Sequence, residues 1–426
     1  MRYTAPPALS YYSASTTAPT RPMLKGDVTT DVAVLGGGIA GCSAALHFAE
    51  RGFRVALLEA RSVGYGASGR SGGQAIFGLA ASQKTLTAQV GREDAHRLFD
   101  LSVEALKVTQ DLMRTYHIDC DWRANHVHVA VKSRHIDELK EWQQELHEEY
   151  GYRGVRFLDR EALRAHVQSL RYPAGLLDPD SGHLHPLKFT LGVARAAESK
   201  GAMIYENSPV LRYEDGAQVA VHTPHGKVRA SHLVLCGNAY IDGVAPALAR
   251  RILGVGTYII ATEPLGKERL ERLLPSNAAV ADINWILDYF RRSADERLLF
   301  GGRVSYSSVQ PPQLAESMRR RMVRVFPSLA DAKVAYAWGG YLDITMSRAP
   351  NFGRLGKNVY YLQGFSGHGI ALTGLAGKLV AEAVAGSAER FDVFSRIPHR
   401  DFPGGPVFRR PSLVLAMLYY RLRDLL

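Results

Sequence analysis

Three glycines, Gly36, Gly38 and Gly41, stand at G-x-G-x-x-G spacing between an apolar run, Asp31 to Leu35, and a segment in which Ala44, Ala45, Phe48 and Ala49 recur at helical spacing. That order reads as strand, tight turn and helix, with Ile39 and Ala40 opening the helix and Gly52 closing it. Glycines at such a turn let the backbone approach a pyrophosphate, whose charge is met by the N–H groups and dipole of the helix N-terminus. A second buried strand, Arg54 to Leu58, ends in Glu59, 18 residues after Gly41 and followed by Ala60; an acid there reaches a ribose hydroxyl. Without these flanking elements the glycines would indicate no more than a tight turn; with them they predict a dinucleotide site.

Five glycines fall within residues 64–73, and the loop holds Gly66, Ala67, Ser68, Arg70, Ser71, Gly72, Gly73 and Gln74. A surface loop can have this composition, but its place directly after the fingerprint favours a wrap around the ligand, with the hydroxyl, guanidinium and amide groups as donors. Near the other end, the strand Val359 to Leu362 runs into Gly364, Phe365, Ser366, Gly367, His368 and Gly369, and a helix is expected from Ile370 to Ala385. Its N-terminus would stabilise negative charge, as a reduced flavin needs and a nicotinamide ring does not.

The intervening chain has to position these loops. Helical patterns at 92–117 and 134–150, with a strand at 126–131, begin a second domain; the stretch 155–242 returns to the first pattern and ends in a buried strand before Gly237 and Asn238, with Val210 also counted among the cofactor contacts. Strands at 255–262, 284–292 and 297–304 carry Tyr258, Trp285, Tyr289 and Phe290, residues that could line a pocket or fill a core. Arg319, Arg320, Arg321 and Arg324 read as the solvated face of a helix whose other face is Leu314, Met318, Met322 and Val325.

The 426 residues, 46% hydrophobic and 22% charged, are those of a folded multi-domain protein. The net charge of +11 comes with no helix-turn-helix, RNP or zinc-finger signature, so nucleic acid is not an expected partner. Three scattered cysteines form no CxxC pair and fit a reducing cytoplasm. The pairs His126/His128 and His183/His185 lack a third ligand, so no metal is expected. No covalent hydrolytic catalysis is expected. Residues 1–26 read as an extended arm without a signal-peptide core, and 401–426 as a tail helix, packed on the protein with a membrane surface as the alternative.

These blocks resemble the FAD-dependent amino acid and amine oxidases of the D-amino acid oxidase type. The similarity extends to Ser10-Tyr11-Tyr12, Asp119-Cys120-Asp121, Gly182 to Leu187, Gly237 to Tyr240, Leu287-Asp288-Tyr289 and Phe402 to Gly405, as in the branch that oxidises gamma-glutamylputrescine. The resemblance implies an α/β fold: a discontinuous Rossmann-like FAD domain (27–90, 155–242, 336–400) and an α+β substrate domain on a mostly antiparallel sheet (91–154, 243–335). Close relatives have Asn at the position of Ser71. Sarcosine oxidase-type relatives carry a carboxylate-binding lysine soon after Gly-His-Gly, where this chain has Ile370 and Ala371; an amino acid substrate is disfavoured. Neither the cysteine that tethers flavin in the segment matching Trp338 to Thr345 nor a loop histidine is present, so noncovalent FAD is implied.

The implied reaction is hydride transfer from a primary amine carbon to flavin, giving an imine that hydrolyses to aldehyde and ammonia, with oxygen as acceptor and peroxide as product. Trp338, Tyr289 and Tyr258 are the candidate walls of a desolvated amine pocket. His368 is the candidate for stabilising reduced flavin, and Arg291 and Arg348 for holding the glutamyl carboxylate. The alternatives are a flavin dehydrogenase passing electrons to a quinone or carrier, and a nonenzymatic flavin-binding protein.

Overall fold

The computed structural model describes residues 9–241, 243–305 and 313–404. The expected tail helix lies outside them beyond Gly404, as does the start of the arm. Two sheets organise the chain. The first has eight strands, with the path 351–355, 359–363, 226–235, 28–35, 55–58, 203–205. Its centre is parallel: Val28–Leu35 lies between Gly226–Leu235 and Val55–Leu58, and Gly226–Leu235 also pairs with Val359–Gln363. Val55–Leu58 is buried at every position, as a parallel strand covered on both faces must be. The second sheet has nine strands, mostly antiparallel, with 334–344 and 253–262 at one end and 175–183 and 74–75 at the other.

The fingerprint helix, Ile39–Glu50, and the C-terminal helix, Gly369–Val384, are apolar on nearly every face because each packs against its neighbour as well as the first sheet. Ser43 Oγ donates to the Gly374 carbonyl at 2.7 Å, and a Cβ on Gly377 would sit 2.4 Å from the Ala44 nitrogen. This contact brings both helix N-termini to one edge of the sheet. The helix Gln83–Thr115 breaks at Gly91 (φ 83°).

Sheet membership departs from the sequence reading. Residues 74–75, 156–158, 175–183 and 336–344, all within segments assigned to the FAD domain, pair in the second sheet. An apolar pattern in the sequence does not specify the pairing partner. Within 284–292 only Tyr289–Arg292 is strand; the residues before it link it to Ala279–Asp282. The arm is not wholly extended either. Ser10 caps a turn of helix, Tyr11–Ala14, in which both tyrosines are buried.

Candidate active site

The first glycine turn is built as its spacing requires. Gly36 has φ 106°, and a Cβ there would lie 2.6 Å from the Cys236 carbonyl oxygen; a Cβ on Gly41 would lie 1.9 Å from the Gly36 oxygen. Gly38 is the N-cap of the fingerprint helix and makes no side-chain cap, while Ser68 Oγ accepts from the Ile39 N–H at 3.0 Å. Glu59 lies against the turn: its carboxylate accepts from the Gly37 N–H at 2.6 Å and the Arg61 N–H at 2.8 Å. Burial raises this carboxyl above its ordinary range, opposed by those two N–H groups. Ala60 is exposed beside it, and half-buried Val210 packs on the apolar layer under this side of the sheet.

The loop at 66–74 is braced from several sides. Arg70 donates to the Tyr65 carbonyl at 2.9 Å and to the Gly339 carbonyl at 3.0 Å, Thr190 Oγ1 donates to the Ser68 carbonyl at 3.1 Å, and the Trp338 indole donates to the Arg70 carbonyl at 2.9 Å. Tyr289 lies across the loop, close enough that a Cβ on Gly72 would be 2.6 Å from its ring. Gln74 reaches the Val280 carbonyl at 3.3 Å and His126 at 3.4 Å. Gly66 and Ala67 open the short 3₁₀ turn of this loop.

The C-terminal loop turns on Gly364, Ser366 and Gly367, all at positive φ. Asp343, 1% exposed, ties it down: its carboxylate accepts from the Gly364 N–H at 2.5 Å and from Asn238 Nδ2 at 3.2 Å, and the Ser366 N–H donates to the Asp343 carbonyl at 3.0 Å. One acid on the second sheet thus joins Gly237–Asn238 to the loop before the second helix. Burial pushes its pKa up to about 6. His368, half-buried at the N-cap of that helix, has its pKa lowered to about 4 by burial and by the charge of Arg348. Arg348, at φ 61°, stacks its guanidinium 4.2 Å from the ring centre of Trp285, which is 40% exposed.

Three expected site residues are placed differently. Trp338 is 0% exposed and seals the core behind the loop; Tyr258 is buried in the separate apolar cluster of the second sheet. Both lie on strands of the second sheet. Arg291, 3% exposed, is committed to the Gly72 carbonyl, the Arg292 carbonyl and the Tyr12 hydroxyl, which is not the exposure a substrate clamp needs. Tyr289, His368 and Arg348 are half-buried. Asp343 and Tyr12 were not anticipated. The one signal for Asp343 is a lone acid in the otherwise uncharged strand Val334–Ile344.

Several features fit a large flavin nucleotide. Two helix N-termini meet at one edge of a parallel sheet, glycines keep the first turn clear of side chains, and Ser71 Oγ and His368 Nδ1 are buried without partners. No three potential metal ligands cluster among the described residues, and no single helix there is long and apolar enough to cross a membrane.

Comparison with known proteins agrees with this cradle. The model of a family described as FAD dependent oxidoreductase matches residues 31–383. Over 418 residues the chain is 41% identical to the gamma-glutamylputrescine oxidoreductase of Escherichia coli, covering 97% of this chain and 98% of that one. It is 40% identical to a probable oxidoreductase of Haemophilus influenzae over 92% of each. Among solved structures, the glycine oxidase of Bacillus cereus superposes with TM-score 0.71 at 22% identity, covering 87% of this chain and 99% of that one. An L-amino acid deaminase of Proteus myxofaciens gives 0.72 at 19%, covering 88% and 94%. The matched span, the near full-length identity and the glycine cradle together place the chain in the FAD dependent oxidoreductase family, as an enzyme that uses FAD.

Proposed function

We propose that this enzyme oxidises the terminal primary amine of gamma-glutamylputrescine, with oxygen as the electron acceptor and FAD held noncovalently. The observation that carries the reading is the 41% identity spread over 97% of the chain to a relative named for that substrate. The balance is amine plus oxygen plus water to aldehyde, ammonia and hydrogen peroxide. FAD, when bound, takes up the hydride removed from the amine carbon; Gly36 to Gly41 and Glu59 would hold its nucleotide half, and the loops at 66–74 and 364–370 its ring.

The chain's own residues have two tasks. An ammonium cannot release hydride readily, so the amine must lose its charge, and half-buried Tyr289 with a His368 that stays neutral offers an environment that disfavours a cation. The glutamyl carboxylate needs a cation, and Arg348, half-buried and flattened against Trp285, can meet it through a planar fork. Ile370 and Ala371, both buried, stand where sarcosine oxidase-type relatives carry a carboxylate-binding lysine.

Anaerobic stopped-flow mixing with gamma-glutamylputrescine, putrescine, sarcosine and D-alanine tests the reading. Fast bleaching by the first alone, reversed by oxygen with peroxide release, is the expected result. Bleaching by sarcosine or D-alanine overturns the substrate, and bleaching that oxygen does not reverse overturns the acceptor. Arg348→Gln is expected to raise KM for gamma-glutamylputrescine tenfold or more, since a charge-assisted contact is worth about 1.5–3 kcal/mol, and to leave putrescine kinetics unaltered. An equal loss on both amines would remove Arg348 from the clamp.

A further inference from the structure

Arg291 is an unusual core residue. A buried guanidinium is costly unless a carboxylate shares the burial, and none among the described residues pairs with it. Its donors go to neutral oxygens: Nε to Gly72 O at 2.7 Å, Nη1 to Arg292 O at 3.1 Å and Nη2 to the Tyr12 hydroxyl at 3.0 Å. The guanidinium also stands 5.8 Å from the centre of the Tyr12 ring. An apolar side chain would fill this space at lower cost, so the packing alone does not account for the charge.

Tyr12 joins Arg291 to the rest of the loop's support. Fully buried, it meets Trp338 edge-on at 5.3 Å and His185 at 4.8 Å, and Trp338 in turn holds the Arg70 carbonyl. The turn carrying Tyr12 is itself anchored: Tyr11 donates to Asp295 at 2.6 Å, and Ser15 Oγ lies 3.1 Å from His185 Nε2. The Arg70 and Gly72 carbonyls are therefore both drawn toward one buried group. A trans peptide is planar, so a Gly72 carbonyl turned to Arg291 points the Gly73 N–H the opposite way. Gly73 has φ 74°, and a Cβ there would come within 2.1 Å of the Leu184 oxygen, so the loop has no slack on that side.

We propose that Arg291 and Tyr12 form a brace behind the glycine loop, fixing the Gly72–Gly73 peptide and supplying an uncompensated positive charge that favours the reduced flavin. Both are positioning residues. The N-terminal turn, far in sequence from every cofactor motif, thereby becomes part of the redox site. A positive charge held near the ring lowers the free energy of the more negative, reduced state, and Tyr12 keeps that charge on the loop side.

The test uses flavin-loaded protein, with redox titration for the midpoint potential and dilution-induced release for flavin affinity. Arg291→Met is expected to shift the potential to more negative values, while Arg291→Lys, which keeps charge and loses the fork, holds the potential near that of the parent. Tyr12→Phe retains the ring and removes the acceptor, and is expected to release flavin several-fold faster with little change in potential. If Arg291→Met leaves the potential where it was, or Arg291→Lys shifts it as far as Met does, the charge plays no part. If Tyr12→Phe releases flavin at the parental rate, even with a lower melting temperature, the brace is only core packing. Should the Met variant fail to fold, Lys and Phe decide: parental potential in Lys with faster release in Phe supports the brace, and any other pairing overturns it.

Discussion

Gly41→Ala is expected to yield a folded protein that no longer retains FAD. The added Cβ would stand 1.9 Å from the Gly36 carbonyl oxygen and 3.1 Å from its carbon, and both are backbone atoms in the turn that must receive the pyrophosphate. No rotamer relieves that overlap. Either the helix Ile39–Glu50 moves off its strand or the Gly36 peptide rotates, and Gly36 is already at φ 106° against the Cys236 carbonyl. The helix cannot readily move, since the Ser43 hydroxyl donates to the Gly374 carbonyl and Gly377 packs against the Ser43–Ala44 backbone. The turn therefore yields, and its N–H groups lose their common aim. A loss of about 3 kcal/mol in binding is roughly a hundredfold in Kd, enough to strip flavin during gel filtration. The measurement is the flavin absorbance retained per protein. Gly216→Ala, where the new Cβ would meet nothing closer than 3.4 Å, should keep its flavin. Normal flavin content in Gly41→Ala would show that this turn is not the pyrophosphate cradle.

The contrast between Gly41 and Arg291 shows how far the sequence could be read. Gly41 was legible because its role is local: a strand, a turn and a helix follow one another within twenty residues, and the spacing contains the geometry. The helix Leu314–Val325 was legible for the same reason, its apolar stripe of Leu314, Met318, Met322 and Val325 being buried as the period requires. Arg291, Trp338 and Tyr258 were not. Each sits on a strand, and which face of a sheet meets the cofactor depends on partners that are distant in sequence. Nothing in the residues around Trp338 says that its indole reaches back 268 residues to Arg70. Likewise Ser10-Tyr11-Tyr12 carried family likeness without location, because its contacts are with residues 185 and beyond. The second-sheet membership of 175–183 and 336–344 was not legible on the same ground, since strand pairing is not encoded locally.

Asp343 gives the second large effect. Asp343→Ala is expected to loosen the loop Gly364–Gly369 and lower flavin affinity tenfold or more, because it leaves the Gly364 N–H and the Asn238 amide without their acceptor. Each buried donor left unpaired costs about 1–3 kcal/mol. Asp343→Asn separates geometry from charge. The amide can accept from one of the two donors but opposes the other with its own NH₂, so the loop is partly held. The two forms also differ with pH. The folded-state pKa of Asp343 is raised to about 6 by burial, against an ordinary value of 3.8. Between those values the folded protein holds a proton here that the unfolded chain has released. Stability contributed by this site is therefore greatest below about pH 4 and is lost as pH rises through 6, on the order of 3 kcal/mol over the window. The Asn variant has no such titration. Its melting temperature relative to the parent should rise between pH 4 and pH 7, while its flavin affinity at pH 7 stays below the parent's. A stability gap that is flat across this window would mean that Asp343 enters the fold already ionised, and that the loop and not the carboxyl proton carries the cost.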